Sequence, residues 1–142
     1  MNASPNSPSA IAASVAFTAK APVVNSAVLR DAANGNPDEM RALAEIYLAQ
    51  ADESMAKLAV TVQAGTARDV CRLAHRLAGG SASFGMIGII APLRALEQLG
   101  KQGQLEGAQT LLAQASQQLE AIRHWLHEHA MHSNNHHLTT HP

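Results

Sequence analysis

Apolar positions recur along the central part of this chain with the roughly 3.6-residue period of amphipathic helices, interrupted by short polar stops. The first periodic stretch, Ser26 to Ala33, ends at Asn34-Gly35, a helix-terminating pair. Asn36 then offers an N-cap, with Pro37 at the first helical position and Asp38 and Glu39 in the first turn. From there Leu43, Tyr47, Ala51, Met55, Leu58 and Val62 form one stripe of a helix predicted to run to about Ala64 and stop at Gly65. Thr66 is placed to cap the next helix, with Asp69 at the capping-box position. That helix passes through Val70, Leu73, Leu77 and Phe84 before glycines at Gly85 and Gly88. A shorter helix is predicted from about Ile89 to Leu99, with Pro92 in its first turn and Gly100 at its end. The last runs from about Leu105 to Met131, with Leu112, Ala115, Leu119, Ile122 and Leu126 on one stripe.

Short connections between long amphipathic helices favour antiparallel neighbours. The expected fold is therefore all-α: an antiparallel up-down four-helix bundle with a short extra N-terminal helix. Residues 1–25, rich in Ser, Ala, Asn and Pro and without helical period, read as a flexible arm. Residues 26–132 read as the bundle and residues 133–142 as a flexible tail.

Composition narrows the function. A chain of 142 residues suits one domain, and its 46% hydrophobic content with only 3% aromatic residues suits packed helices rich in Ala and Leu. Ten Lys and Arg against 11 Asp and Glu leave a net charge of −1, which removes the usual electrostatic basis for nucleic-acid binding. The single cysteine, Cys71, excludes an internal disulfide. No apolar run approaches the ~20 residues of a membrane span, and the first residues lack a basic region ahead of an apolar core. The expectation is a soluble, cytoplasmic protein with no nucleic-acid or membrane partner.

The candidate chemistry lies between Arg68 and Gly85. On a helical wheel with His75 at the origin, Val70, Leu73, Leu77 and Phe84 fall within about 40° of the opposite side. His75 is thus predicted to face solvent, sharing its face with Arg68, Cys71, Arg72, Ala78, Gly79 and Ala82. Neutral imidazole, with an ordinary pKa of about 6.5, is a nucleophile near neutral pH. Cationic neighbours can stabilise a phosphoryl group on it, and small neighbours let another protein come close. A glycine within a helix costs about 1 kcal/mol relative to Ala, so the pair Gly79 and Gly80 needs a reason. Close approach by a partner is one, and a local helix end is the other.

Other constellations carry less. His124, His127, His129 and His132 include pairs at metal-chelating spacing, but successive members rotate around the helix and no carboxylate or cysteine completes a site. They read as a solvated helix end with no metal, and Trp125 beside them as bundle-end packing. Cys71 lies four residues from His75, yet no third group presents itself to complete a thiolate catalytic site. Cys71 reads as a small half-buried residue, and Ile46, off its helix's stripe, as an exposed apolar position. With no ATP-binding Gly-rich motif and no metal-binding aspartate cluster, the chain reads as neither kinase nor receiver.

The segment AHRLAGGSASFG, followed by APLRALE, resembles the signature of histidine phosphotransfer (HPt) domains through Ala74, His75, Leu77, Gly79, Ser81, Gly85, Leu96 and Glu97. The resemblance extends from about Asn36 to Met131. It implies an antiparallel four-helix bundle with the phosphorylatable histidine, His75, exposed on the second long helix. It implies a partner that is the receiver domain of a response regulator or a hybrid sensor histidine kinase. No cofactor belongs to the chain itself, since Mg²⁺ is expected on the receiver. Arg72, Arg76, Arg68, Gly79, Gly80 and Ala82 are then the residues expected to stabilise the phosphoryl group or dock the partner. The family's usual lysine three residues after the histidine is Ala78 here, and Arg72, about 60° round the wheel, is the expected substitute ahead of Arg76 at about 100°. Two functions fit: a phosphoryl carrier without kinase activity of its own in a multistep His–Asp phosphorelay, or a degenerate helical interaction module that binds a receiver or kinase without being phosphorylated.

Overall fold

Caps and glycines divide the chain into the helices of the computed structural model, which describes residues 22–131. These are α1 (Ser26–Ala32), α2 (Pro37–Ala64), α3 (Ala67–Ser83), a 3-10 turn (Ile87–Ile89), α4 (Ile90–Gln102), α5 (Ala108–Leu126) and a closing π-helical turn (His127–Met131). Asn36 caps α2 with its side-chain oxygen, which accepts from the backbone N–H of Asp38 at 2.8 Å and of Glu39 at 3.1 Å. Asn25 caps α1 in the same way. Thr66 stands at the start of α3 but makes no side-chain cap bond, so the capping box expected there does not form. Asp69 accepts from Arg72 instead, at 2.7 Å. Helix α3 ends at Ser83, with Phe84 as its C-cap, and α5 begins at Ala108 after left-handed Gly107, three residues later than expected.

Residues 23–25, assigned above to the flexible arm, belong to the folded unit. Val24 is 2% exposed, the N–H of Gly88 donates to the Val23 carbonyl at 2.9 Å, and the N–H of Asn25 donates to the Gly85 carbonyl at 2.7 Å. Gly85 has φ +80°, and a Cβ there would lie 2.6 Å from the Asn25 carbonyl oxygen, so this junction requires glycine on two counts. The rest of the expected arm, the tail and His132 lie outside the described residues. Among the described residues no helix is long and apolar enough to cross a membrane.

The stripes of α2 and α5 pack largely as their periodicity predicts, with Tyr47, Ala51, Met55, Leu58 and Val62 sharing one core with Leu112, Ala115, Leu119, Ile122 and Leu126. Leu43, however, is only half-buried, and Ala44 and Leu48 are buried in its place. Helix α3 differs. Its buried residues are Val70, Ala74, Leu77, Ala78 and Ser81, while Leu73 and Phe84 are only half-buried. The cause is that α3 packs on α2 with one flank and, at unusually close range, on α4 with the other. Its inner face is therefore wide and includes small residues that a wheel weighted by hydrophobicity passes over. Ser81 is buried because it has a partner: its Oγ lies 2.8 Å from the Tyr47 hydroxyl. Burial pushes the Tyr47 phenol pKa up, an effect the Ser81 bond partly offsets.

Gly100 was expected to end its helix. Instead α4 continues to Gln102 and is closed by left-handed Gly103. A Cβ on Gly100 would meet the Ala67 carbonyl oxygen at 2.6 Å, the Cys71 nitrogen at 2.6 Å and the Cys71 Cβ at 2.8 Å. Gly100 is the point where α4 crosses α3. The two helices run antiparallel, so one turn from the Cys71–Gly100 contact the register places His75 beside Glu97. Gly100→Ala is expected to lower stability by about 1–3 kcal/mol, because two of the three obstructing atoms are backbone. Gly79→Ala, whose Cβ would meet nothing within 4 Å, should instead be neutral or stabilising by up to about 1 kcal/mol. Urea-unfolding midpoints of the two variants test this, and equal effects would contradict the close crossing.

Candidate functional site

The crossing of α3 and α4 brings one imidazole, one carboxylate and one guanidinium together. His75 Nδ1 lies 2.8 Å from Glu97 Oε2, and Arg94 Nη1 donates to Glu97 Oε1 at 2.9 Å. The same Nη1 is 3.4 Å from His75 Nδ1. Exposure is graded across the group, with the side chain of His75 66% exposed and that of Glu97 12%. Glu97 sits on α4 beside the fully buried Leu96, which holds its carboxylate at the edge of the core.

Protonation follows from this geometry. The Arg94 hydrogen bond, chiefly, holds the Glu97 carboxyl below the usual carboxylate range; burial opposes it, and the His75 bond and the electrostatic pull of both partners add to it. An ionised carboxylate only accepts hydrogen bonds, so the proton at the 2.8 Å contact belongs to His75 Nδ1. Nδ1 then has no lone pair left for Arg94, and their 3.4 Å approach reflects the Glu97 carboxylate they share. In neutral imidazole a proton on Nδ1 leaves a lone pair on Nε2. Nε2 takes no hydrogen bond from any described residue, so its lone pair is uncommitted and able to act as a nucleophile.

The residues singled out by sequence are distributed around this centre. Gly80 and Ala82 are exposed and Gly79 is half-buried, and a Cβ at either glycine would meet nothing within 4 Å. Helix α3 continues through both glycines, so the helix-end reading falls and an open surface remains. Arg76 and Gly80 line a groove between α2 and α3 with Glu53 and Lys57. Arg68 lies beside Cys71 and Lys101 in a shallow hollow at the Gly100 crossing. Arg72, the expected substitute for the missing lysine, is engaged with Asp69 on its own helix. Ala78 does not share the exposure of His75: it is 0% exposed and belongs to the core cluster. Cys71 is half-buried against Gly100. At the far end His129 stacks on Trp125 with ring centroids 4.2 Å apart, His124 and His127 are exposed, and Ile46 is exposed on α2.

Arg94 was not among the sequence candidates, and Glu97 appeared there only as a position in a pattern. The available signal was weak: an Arg and a Glu three apart, adjacent to the apolar Leu93 and Leu96 of α4.

The model of the Hpt domain family matches residues 42–125. The chain belongs to the Hpt domain family. Its function is accordingly histidine phosphotransfer in phosphorelay signalling. Among solved structures it is similar to the histidine-containing phosphotransfer protein B of Pseudomonas aeruginosa PAO1, with a TM-score of 0.73 and 24% identity over 80% of this chain and 98% of that one. This likeness is one of fold, an all-α bundle, here with an extra N-terminal helix. No curated protein matches the chain.

Within this Hpt domain the depressed Glu97 carboxyl has a consequence for stability. A carboxyl held low in the folded state stabilises the fold above its unfolded pKa of about 4.3, and that contribution is lost as pH falls through the lowered folded value. A His75→Gln background removes the imidazole and leaves Arg94, the main cause, in place. There the stability difference between Glu97 and Glu97→Gln should be flat from about pH 7 to pH 5.5 and shrink below about pH 4. Urea midpoints across that range measure it, and a difference that stays constant into strong acid would show the carboxyl is not held low.

Proposed function

We propose that His75 is the phosphoryl acceptor and that Nε2 carries the group, in exchange with the aspartate of a receiver domain in a multistep His–Asp phosphorelay. The observation that carries this reading is the 2.8 Å contact of Nδ1 with Glu97, which leaves Nε2 unprotonated on an exposed ring. The Nε2 lone pair forms the N–P bond as the P–O bond of the partner's aspartyl phosphate breaks, and that aspartate leaves as a carboxylate. The Nδ1 proton stays in its hydrogen bond to Glu97, which balances the positive charge that develops on the ring. The reverse step returns the phosphoryl group to an aspartate.

This chain's part is that of a carrier. Mg²⁺ and the acyl phosphate belong to the receiver. Gly79, Gly80 and Ala82 leave α3 without side chains that would obstruct its approach, and Arg76 with Lys57 supplies positive charge along the neighbouring groove. Arg68 and Arg72 extend that charge along α3 away from the site. A hybrid sensor kinase is a partner of the same kind through its own receiver domain. A cytoplasmic setting agrees with helices too polar to span a membrane among the described residues.

His75→Gln is expected to abolish acceptance of label from a phosphorylated receiver while moving the unfolding free energy by no more than about 0.5 kcal/mol, as for a surface position. The label on the wild-type chain should survive alkali and be lost in acid. A variant labelled at the wild-type rate would remove His75 from the role. Receiver binding without any label transfer would favour the interaction-module reading instead.

A further inference from the structure

A phosphoryl group brings roughly −1.5 to −2 charges at neutral pH. On Nε2 it would share one imidazole with Glu97, already ionised at Nδ1. Two anions on one ring repel unless a cation stands close to both. The cations near His75 differ in whether they reach its ring. Arg72 donates to Asp69 at 2.7 Å, one turn back along α3. Arg76 faces the groove on the α2 side. Position 78 is an alanine sealed in the core. Arg94 alone among the described cations reaches the ring, 3.4 Å from Nδ1, with a side chain that is 46% exposed and able to swing.

Resting on the reading of His75 as acceptor, we propose that Arg94, from the facing helix, binds the phosphoryl group on His75 and supplies the counter-charge that the sequence pattern pointed to on α3. A guanidinium has five N–H donors in a planar fork. One of them can stay on Glu97 Oε1 while others turn to phosphoryl oxygens, so Arg94 offsets the carboxylate and the phosphoryl group together. Reach is adequate because Nδ1 and Nε2 are separated by one ring carbon. A guanidinium beside the first nitrogen is a side-chain rotation away from a group bonded to the second.

The test uses the full chain and phosphoramidate, which places a phosphoryl group on imidazole nitrogen as ammonia leaves and needs no protein partner. The readout is the midpoint of the phosphoryl group's second ionisation, followed by ³¹P NMR. A bound cation favours the dianion and lowers that midpoint. Arg94→Ala should raise it by about 0.5 to 1, Arg94→Lys should restore part of the shift, and Arg94→Ala should act in the same direction in a Glu97→Gln background. An unchanged midpoint in Arg94→Ala, a shift that appears only when Glu97 is present, or a shift carried by Arg72→Ala in its place would overturn the proposal. If no ³¹P resonance of the labelled wild type is lost in His75→Gln, or if no label forms at all, the acceptor reading is overturned and the Arg94 role with it. Label confined to His75 with no Arg94 effect would overturn the Arg94 role alone.

Discussion

The close crossing of α3 and α4 at Gly100 is the constraint on which the site depends. With hydrogen as its side chain, Gly100 lies against the backbone of Ala67 and Cys71, and the buried Ala74 and Ala78 keep the interface shallow further along. Interiors pack at crystal-like density, so a bulkier residue at the crossing has to displace one helix from the other. Helix separation is in turn what lets the short side chain of Glu97 meet His75 Nδ1 at 2.8 Å. A packing requirement in the core thus fixes a hydrogen bond at the surface.

That hydrogen bond matters for protonation more than for stability. Ion pairs between exposed side chains contribute little to folding, and Arg41–Glu45 and Lys57–Glu53 on α2 are of that ordinary kind. Glu97 differs because its carboxylate is nearly enclosed and is paired on both oxygens. Its task is to choose a tautomer. In the proposed phosphoryl-carrying state the same carboxylate becomes a liability, and the guanidinium on its second oxygen is placed to offset it. Imidazole, carboxylate and guanidinium therefore form one electrostatic unit assembled from two helices.

Fold and chemistry are divided between the faces of α3. Its inner face, with Val70, Ala74, Leu77, Ala78 and Ser81, is held by α2 and α4 together. Support from two neighbours, rather than intrinsic propensity, is what keeps a helix intact through Gly79 and Gly80. The outer face is then free to carry small residues and an unobstructed imidazole. Past the end of the helix, the chain from Val23 to Asn25 hydrogen-bonds to Gly85 and Gly88, closing the turn into α4 without approaching the histidine.

Much of this was legible in the residues taken one helix at a time. Asn36, Pro37 and Gly65 delimit α2 through capping chemistry that is local, and the stripes of α2 and α5 report a single buried face each. The exposure of His75 and the smallness of its neighbours Gly79, Gly80 and Ala82 are likewise properties of one helix. Where a contact is made by small residues or by partners distant in the chain, a one-helix reading fails. It placed Ala78 beside His75 when it is buried, read Gly100 as a stop when it is a contact, and assigned Val23 to Asn25 to an arm because their partners lie some sixty residues away in the chain. The partners of His75 lie beyond it for the same reason. The periodicity of α3 determines which way the imidazole points, but the side chains that meet it belong to α4, and only the depth and register of the helix crossing decide that they are Glu97 and Arg94.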